Sequence, residues 1–189
     1  MGNKPSSLRP KTLKELREFL SEEYTNDVIK TWYEEYKSSL TKGESSLTRD
    51  AFIKVYSNLF EGEASNFAAE VFRVFDSDGN GVVDFKEFMF GIYVSGCSMN
   101  EDMKLDWAFR MYDRNGDGFI SKEEMTYMFK AIYRMTKPPS THSTPEKLTD
   151  YFFECFDKNK DDQISDAEFI AEAKKNRLIV DMLEIDPCG

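Results

Sequence analysis

Histidine is nearly missing from this chain: a single one, His142, occurs among 189 residues. It lies in the Pro/Ser/Thr-rich stretch TKPPSTHSTP (136–145), with no cysteine or serine beside it in a nucleophile–base motif. Chemistry built on an imidazole base therefore has no foothold, and no enzyme is expected. Cysteine is scarce as well. Cys97, Cys155 and Cys188 form an odd, widely spaced set with no CxxC pair and no apolar leader before them, a pattern that fits a reducing compartment. The chain starts with the polar MGNKPSS, and no apolar run approaches the roughly 20 residues needed to cross a bilayer. A cytoplasmic protein with no membrane span is expected.

Aromatic residues, in contrast, are plentiful: 16 Phe, 9 Tyr and 2 Trp. That apolar mass separates the chain from disordered acidic sequences, which cannot offset the entropy of ordering. The formal net charge of -10 thus needs another origin. Acidity of this size repels phosphates, so no nucleic-acid partner is expected, and it suits a protein that collects cations.

The acids are not scattered. A twelve-residue pattern occurs three times: DSDGNGVVDFKE from Asp76 to Glu87, DRNGDGFISKEE from Asp113 to Glu124, and DKNKDDQISDAE from Asp157 to Glu168. The starts lie 37 and 44 residues apart, room each time for an exiting helix, a linker and an entering helix. The flanks have helical spacing. Phe72 and Phe75, then Trp107, Phe109 and Met111, then Phe152, Phe153 and Phe156 lead in; Met125, Met128, Phe129, Ile132 and Met135 form one face of a helix leading out. Six of the nine methionines fall between Met99 and Met135, as packing or as a face hidden until a ligand opens it.

Ca2+ is a hard cation that takes about seven oxygens, and a tight loop supplies them from side chains at positions 1, 3, 5 and 9, a carbonyl at 7 and a bidentate Glu at 12. The first loop offers Asp76, Asp78, Asn80, the Val82 carbonyl, Asp84 and Glu87. The second offers Asp113, Asn115, Asp117, the Phe119 carbonyl, Ser121 and Glu124. The third offers Asp157, Asn159, Asp161, the Gln163 carbonyl, Ser165 and Glu168. Magnesium competes for such oxygens, but the position-12 Glu favours the larger ion. Position 6, where the backbone turns left-handed, is Gly81 and Gly118 in the first two loops and Asp162 in the third, which predicts a weaker third site. The apolar residues at position 8, Val83, Ile120 and Ile164, predict a short antiparallel bridge between paired loops.

Pairing requires a fourth loop, and Leu40 to Ala51, LTKGESSLTRDA, stands at the right distance. It has Leu at position 1, Ser45 at the turn and Ala51 in place of the glutamate, so it holds no ion and leaves Leu47 as the partner of Val83. The expected fold is all-α: four EF-hand helix-loop-helix motifs in two paired lobes with short β bridges. An N-terminal lobe at 1–95, a hinge at 96–101 around Gly96 and a C-terminal lobe at 102–189 are expected, with about three Ca2+ bound.

Met1-Gly2-Asn3-Lys4-Pro5-Ser6 fits the pattern for removal of Met1 and myristoylation of Gly2. Behind it Lys4, Arg9, Lys11, Lys14 and Arg17 face only Glu15, a locally basic arm of the kind that adds a second membrane signal to one acyl chain. Peripheral membrane association is expected.

With an acylation signal, a dead first hand preceded by Trp32-Tyr33, and strings such as VVDFKEF, LDWAFRMYD and STPEKLTDYFF, the chain resembles the neuronal calcium sensor family, the recoverin and visinin-like group. The resemblance runs over nearly the whole length. It implies a sensor whose acyl chain is held in an apolar N-terminal lobe and extruded by Ca2+, and an apolar groove that takes a target-protein helix. Trp32, Tyr33, Tyr36, Phe52, Tyr56, Phe85 and Phe88 are the candidate groove residues. The family usually disables its first hand with a Cys-Pro-x-Gly turn, where this chain has Leu40-Thr41-Lys42-Gly43-Glu44. A calcium buffer and a constitutive regulatory subunit resembling the calcineurin B chain are the alternatives.

Overall fold

In the computed structural model, residues 8–20, 22, 24–60, 62–95, 101–138 and 143–175 are described. Helix α1 (Pro10–Phe19) opens the chain, and its buried Leu16 and the following Leu20 seat it on the core. Each hand then uses two helices. Helices α2 (Asn26–Ser39) and α3 (Arg49–Ser57) flank the degenerate loop, α4 (Ser65–Phe75) and α5 (Phe85–Ser95) the second hand, α6 (Glu101–Tyr112) and α7 (Lys122–Thr136) the third, and α8 (Pro145–Phe156) and α9 (Asp166–Ala173) the fourth.

Short strands tie the loops in pairs. Strand β1 (Leu47–Thr48) runs antiparallel to β2 (Val82–Val83), with Leu47 opposite Val83; β3 (Phe119–Ser121) runs antiparallel to β4 (Gln163–Ser165), with Ile120 opposite Ile164. Both position-8 pairs expected from the sequence are therefore present, and all four residues are buried.

The same residues that end each loop start the next helix. Ser121 and Ser165 cap α7 and α9 in reciprocal capping boxes with Glu124 and Glu168. In the degenerate loop Thr48 still caps α3 by accepting from the Ala51 N–H, but Ala51 has no carboxylate to return the bond. That loop turns at a different place from the one expected. Gly43, not Ser45, is left-handed (φ 96°), and the Glu44 N–H closes the turn on the Thr41 carbonyl at 3.0 Å. Glycine has no Cβ to oppose that conformation, so the turn settles there.

Helix α4 is the centre of the molecule. Phe67, Ala68, Val71, Phe72, Val74 and Phe75 are all buried on it, and it packs against α3 and α5 and also against α6 and α7. One continuous apolar core thereby includes residues of all four hands. Among the described residues no helix is long and apolar enough to cross a membrane. The expected hinge lies outside the described residues except for Glu101, the first residue of α6.

Candidate metal centres

Each of the three acidic loops begins where a helix ends, and its first aspartate accepts backbone N–H groups from across the turn. Asp76 takes those of Asn80 (3.0 Å) and Gly81 (2.9 Å). Asp113 takes those of Gly116 (2.8 Å), Asp117 (3.2 Å) and Gly118 (3.0 Å). Asp157 takes those of Lys160 (2.7 Å), Asp161 (3.3 Å) and Asp162 (3.0 Å). Position 3 repeats the device: Asp78, Asn115 and Asn159 accept the N–H two residues on. Position 5 repeats it again, with Asn80, Asp117 and Asp161 accepting from Val82, Phe119 and Gln163.

The glutamate at position 12 folds back over the loop in all three. Glu87 accepts from the Ser77 (3.0 Å) and Asp84 (2.9 Å) N–H groups, Glu124 from those of Arg114 (3.1 Å) and Ser121 (3.0 Å), and Glu168 from those of Lys158 (3.2 Å) and Ser165 (3.0 Å). At position 9, Asp84 caps the start of α5, and the hydroxyls of Ser121 and Ser165 donate to Glu124 (2.8 Å) and Glu168 (2.6 Å). The Ser165 hydroxyl holds the Glu168 carboxyl below its usual range; burial opposes this, and the N–H groups of Ser165, Asn159 and Lys158 reinforce it. It is poised as the charged form a cation needs.

The donor set is one of oxygens only: carboxylates, one amide and one main-chain carbonyl per loop, and a serine hydroxyl in the third and fourth hands. In the second hand, carboxylate oxygens of Asp76, Asp78 and Glu87 all lie within 4.8 Å of one another. Such a set fits a hard divalent cation rather than a soft or nitrogen-seeking one.

The third hand is the most enclosed, with Asp113 6% and Glu124 8% exposed. The fourth is the most strained. Asp162 is left-handed (φ 63°) as expected, and so is Lys160 (φ 60°), which the sequence reading missed. The corresponding residues of the other loops are Gly79 and Gly116, so the signal was present at position 4. Lys122 of α7 reaches across to Asp162 at 2.5 Å.

Comparison with known proteins agrees with this repeat. One model, an EF-hand domain pair, matches residues 44–91, and another EF-hand domain pair matches 102–174. Neuronal calcium sensor 1 of Lymnaea stagnalis is 36% identical, covering 100% of this chain and 99% of its own length. Recoverin of Homo sapiens is 31% identical over 99% of this chain and 95% of its own, and S-modulin of Aquarana catesbeiana 32% over 99% and 94%. The chain belongs to the recoverin and neuronal calcium sensor family of EF-hand proteins.

This family member carries an apolar cavity of about 360 Å³ between its two pairs of hands. Trp32, Tyr36, Phe52, Tyr56 and Phe88 line it, whereas Tyr33 and Phe85 pack edge-to-face on each other, ring centroids 4.9 Å apart, outside the lining. The wall not foreseen from the sequence comes from the third hand: Trp107, Met111, Tyr112 and Met128. Val55 and Leu59, also in the lining, are exposed. Gly2 and His142 lie outside the described residues. Arg9, Lys11, Lys14 and Arg17 are exposed on or next to α1, whose Phe19 packs against Phe90 and Tyr93 of α5.

Proposed function

We propose that the protein is a Ca2+ sensor that binds three ions, at Asp76–Glu87, Asp113–Glu124 and Asp157–Glu168, and regulates membrane-associated target proteins. The observation that carries this reading is the hydrogen-bonded cradle repeated at the same positions in all three loops, with the position-12 glutamate folded onto each. In each loop the side chains at positions 1, 3 and 5, the carbonyl at 7 and the two glutamate oxygens would hold the ion, with position 9 bound directly or through water. Leu40 to Ala51 contributes no ion but completes the strand pairing of the second hand.

The apolar cavity favours a sensor over a buffer. A buffer needs no receiving surface, whereas a cavity walled by aromatics and methionines from both halves suits an amphipathic helix or an acyl chain. In this reading the lobes are 1–95 and 102–189, joined at 96–101, and the protein is cytoplasmic and peripherally bound to membranes. Myristoylated Gly2 and the basic residues of α1 supply the anchor. One acyl chain gives only marginal binding, and each basic residue near an anionic surface adds about 1 kcal/mol. Three Ca2+ take the formal charge from -10 to -4, which further lowers repulsion from acidic headgroups.

Sedimentation of the full chain with anionic liposomes tests this, comparing acylated and Gly2→Ala protein with and without Ca2+. Binding of the acylated form only with Ca2+ is the expected result. Equal binding in both conditions means a permanent anchor, as a constitutive subunit would have, and equal binding of Gly2→Ala protein removes the lipid anchor from the reading.

A further inference from the structure

Glu70 of α4 is a buried carboxylate, its side chain 7% exposed, and none of the three acidic loops contains it. A buried carboxylate persists only with strong partners. It has two. Arg73, one turn along α4, donates to one oxygen at 3.0 Å, and Arg114, 44 residues away, grips the other through Nε and Nη2, both at 3.0 Å.

Arg114 is position 2 of the third-hand loop, between Asp113 and Asn115. Its guanidinium lies 3.7 Å from the ring centre of Tyr127 on α7, and its main-chain N–H donates to Glu124. The other two loops have nothing equivalent at position 2. Ser77 bonds Glu87 of its own loop, and Lys158 pairs with Glu172 of its own hand. Among the described residues, only the third hand has its position-2 side chain anchored in the other pair of hands.

Two further contacts grip the helices of that hand. Arg73 donates to the carbonyls of Arg110 (2.6 Å) and Met111 (3.2 Å) at the C-terminal end of α6, where unpaired carbonyls and the helix dipole attract a cation. The Glu63 N–H, in the segment between α3 and α4, donates to the Arg134 carbonyl of α7 at 3.0 Å. Next to it a Cβ on Gly62 would fall 1.9 Å from the Met135 carbonyl oxygen, so the backbones meet there only because that residue is glycine. The second hand and the linker before it thus hold the third hand at its loop and at the ends of both its helices.

We propose that the Glu70–Arg114 ion pair is an inter-lobe latch that sets the Ca2+ affinity of the third hand and carries its occupancy to α4. The pair fixes Arg114, Arg114 fixes Glu124, and Glu124 supplies two of the ligand oxygens. Breaking the pair loosens the glutamate and lowers affinity. By linkage, an ion at the third hand strengthens the docking of α4 by the same factor. α4 lines the cavity through Phe67, Val71 and Phe75, so the latch ties ion binding to the wall of the apolar site. The inference rests on the third hand binding Ca2+.

The full chain carrying Glu87→Gln and Glu168→Gln leaves only the third hand to titrate, and calorimetry with Ca2+ reads it. Glu70→Gln and Arg114→Ser, the latter copying Ser77, should each weaken binding about five-fold or more, and the double variant should be no weaker than the worse single one. Unchanged affinity in Glu70→Gln, or losses that simply add, would overturn the latch while leaving the Ca2+ site intact. No binding by the parent double variant would overturn the third-hand site and the latch with it. A readout needing no latch variant is hydrogen exchange on the parent: Ca2+ should slow exchange in residues 67–75 of α4. Unaltered exchange there contradicts the inference even if Glu70→Gln fails to fold.

Discussion

The Tyr36 hydroxyl donates to the Val83 carbonyl at 2.8 Å, a buried bond between residues 47 positions apart. Tyr36 belongs to the first hand, whose loop lacks the acidic pattern, and Val83 to the bridge of the second hand, whose loop has it. Burial pushes the phenol pKa up to about 12, so it stays a donor throughout the physiological range. The degenerate first hand is therefore a structural partner of the second, through this bond and through the Leu47–Val83 pairing.

Tyr36→Phe should destabilise the calcium-free protein by about 1–2 kcal/mol, because the Val83 carbonyl loses a buried partner while the ring stays in place. Urea unfolding measures this. Ca2+ affinity at the second hand should fall with it, since Val83 shares its strand with Val82, whose carbonyl is the proposed position-7 ligand.

Glu124→Gln should remove the third-hand ion outright. The amide replaces a bidentate carboxylate that provides two of about seven oxygens. Calorimetry should then count one site fewer than in the unaltered chain, with the second and fourth hands still titrating.

In the fourth hand, Lys160→Gly should tighten binding. A left-handed non-glycine residue costs about 1–2 kcal/mol, and glycine's added freedom in the loose loop offsets part of the gain, leaving roughly three- to ten-fold. Asp162→Gly should gain no more, because it also removes the exposed pair with Lys122. Titration of these variants in a Glu87→Gln, Glu124→Gln chain isolates the effect.

Ala51→Glu should complete the capping box with Thr48 and stabilise α3 by about 0.5–1 kcal/mol without creating a fourth ion site. Leu40 and Lys42 still stand where positions 1 and 3 need oxygens. The melting temperature without Ca2+ should rise, and the number of ions bound should stay the same.

The loops could be read from the sequence because a twelve-residue cage is local. Its ligands, its capping glutamate and its position-8 apolar residue are set by spacing along one short segment, so Leu47–Val83 and Ile120–Ile164 followed from repeat and register alone. Hidden from that reading were choices between nearby backbone positions. The dead loop turns at Gly43 where Ser45 was expected, and the fourth hand strains Lys160 as well as Asp162. What only the tertiary structure decided lies between the halves: the cavity wall of Trp107, Met111 and Met128, the seating of Gly62 on the end of α7, and the pairing of Glu70 with Arg114. A glutamate inside an amphipathic helix and an arginine in a polar loop each look like solvent-facing charge when read along the chain. Packing of α4 against the third hand takes the carboxylate out of water, and the cost of leaving it unpaired there is what brings the two together.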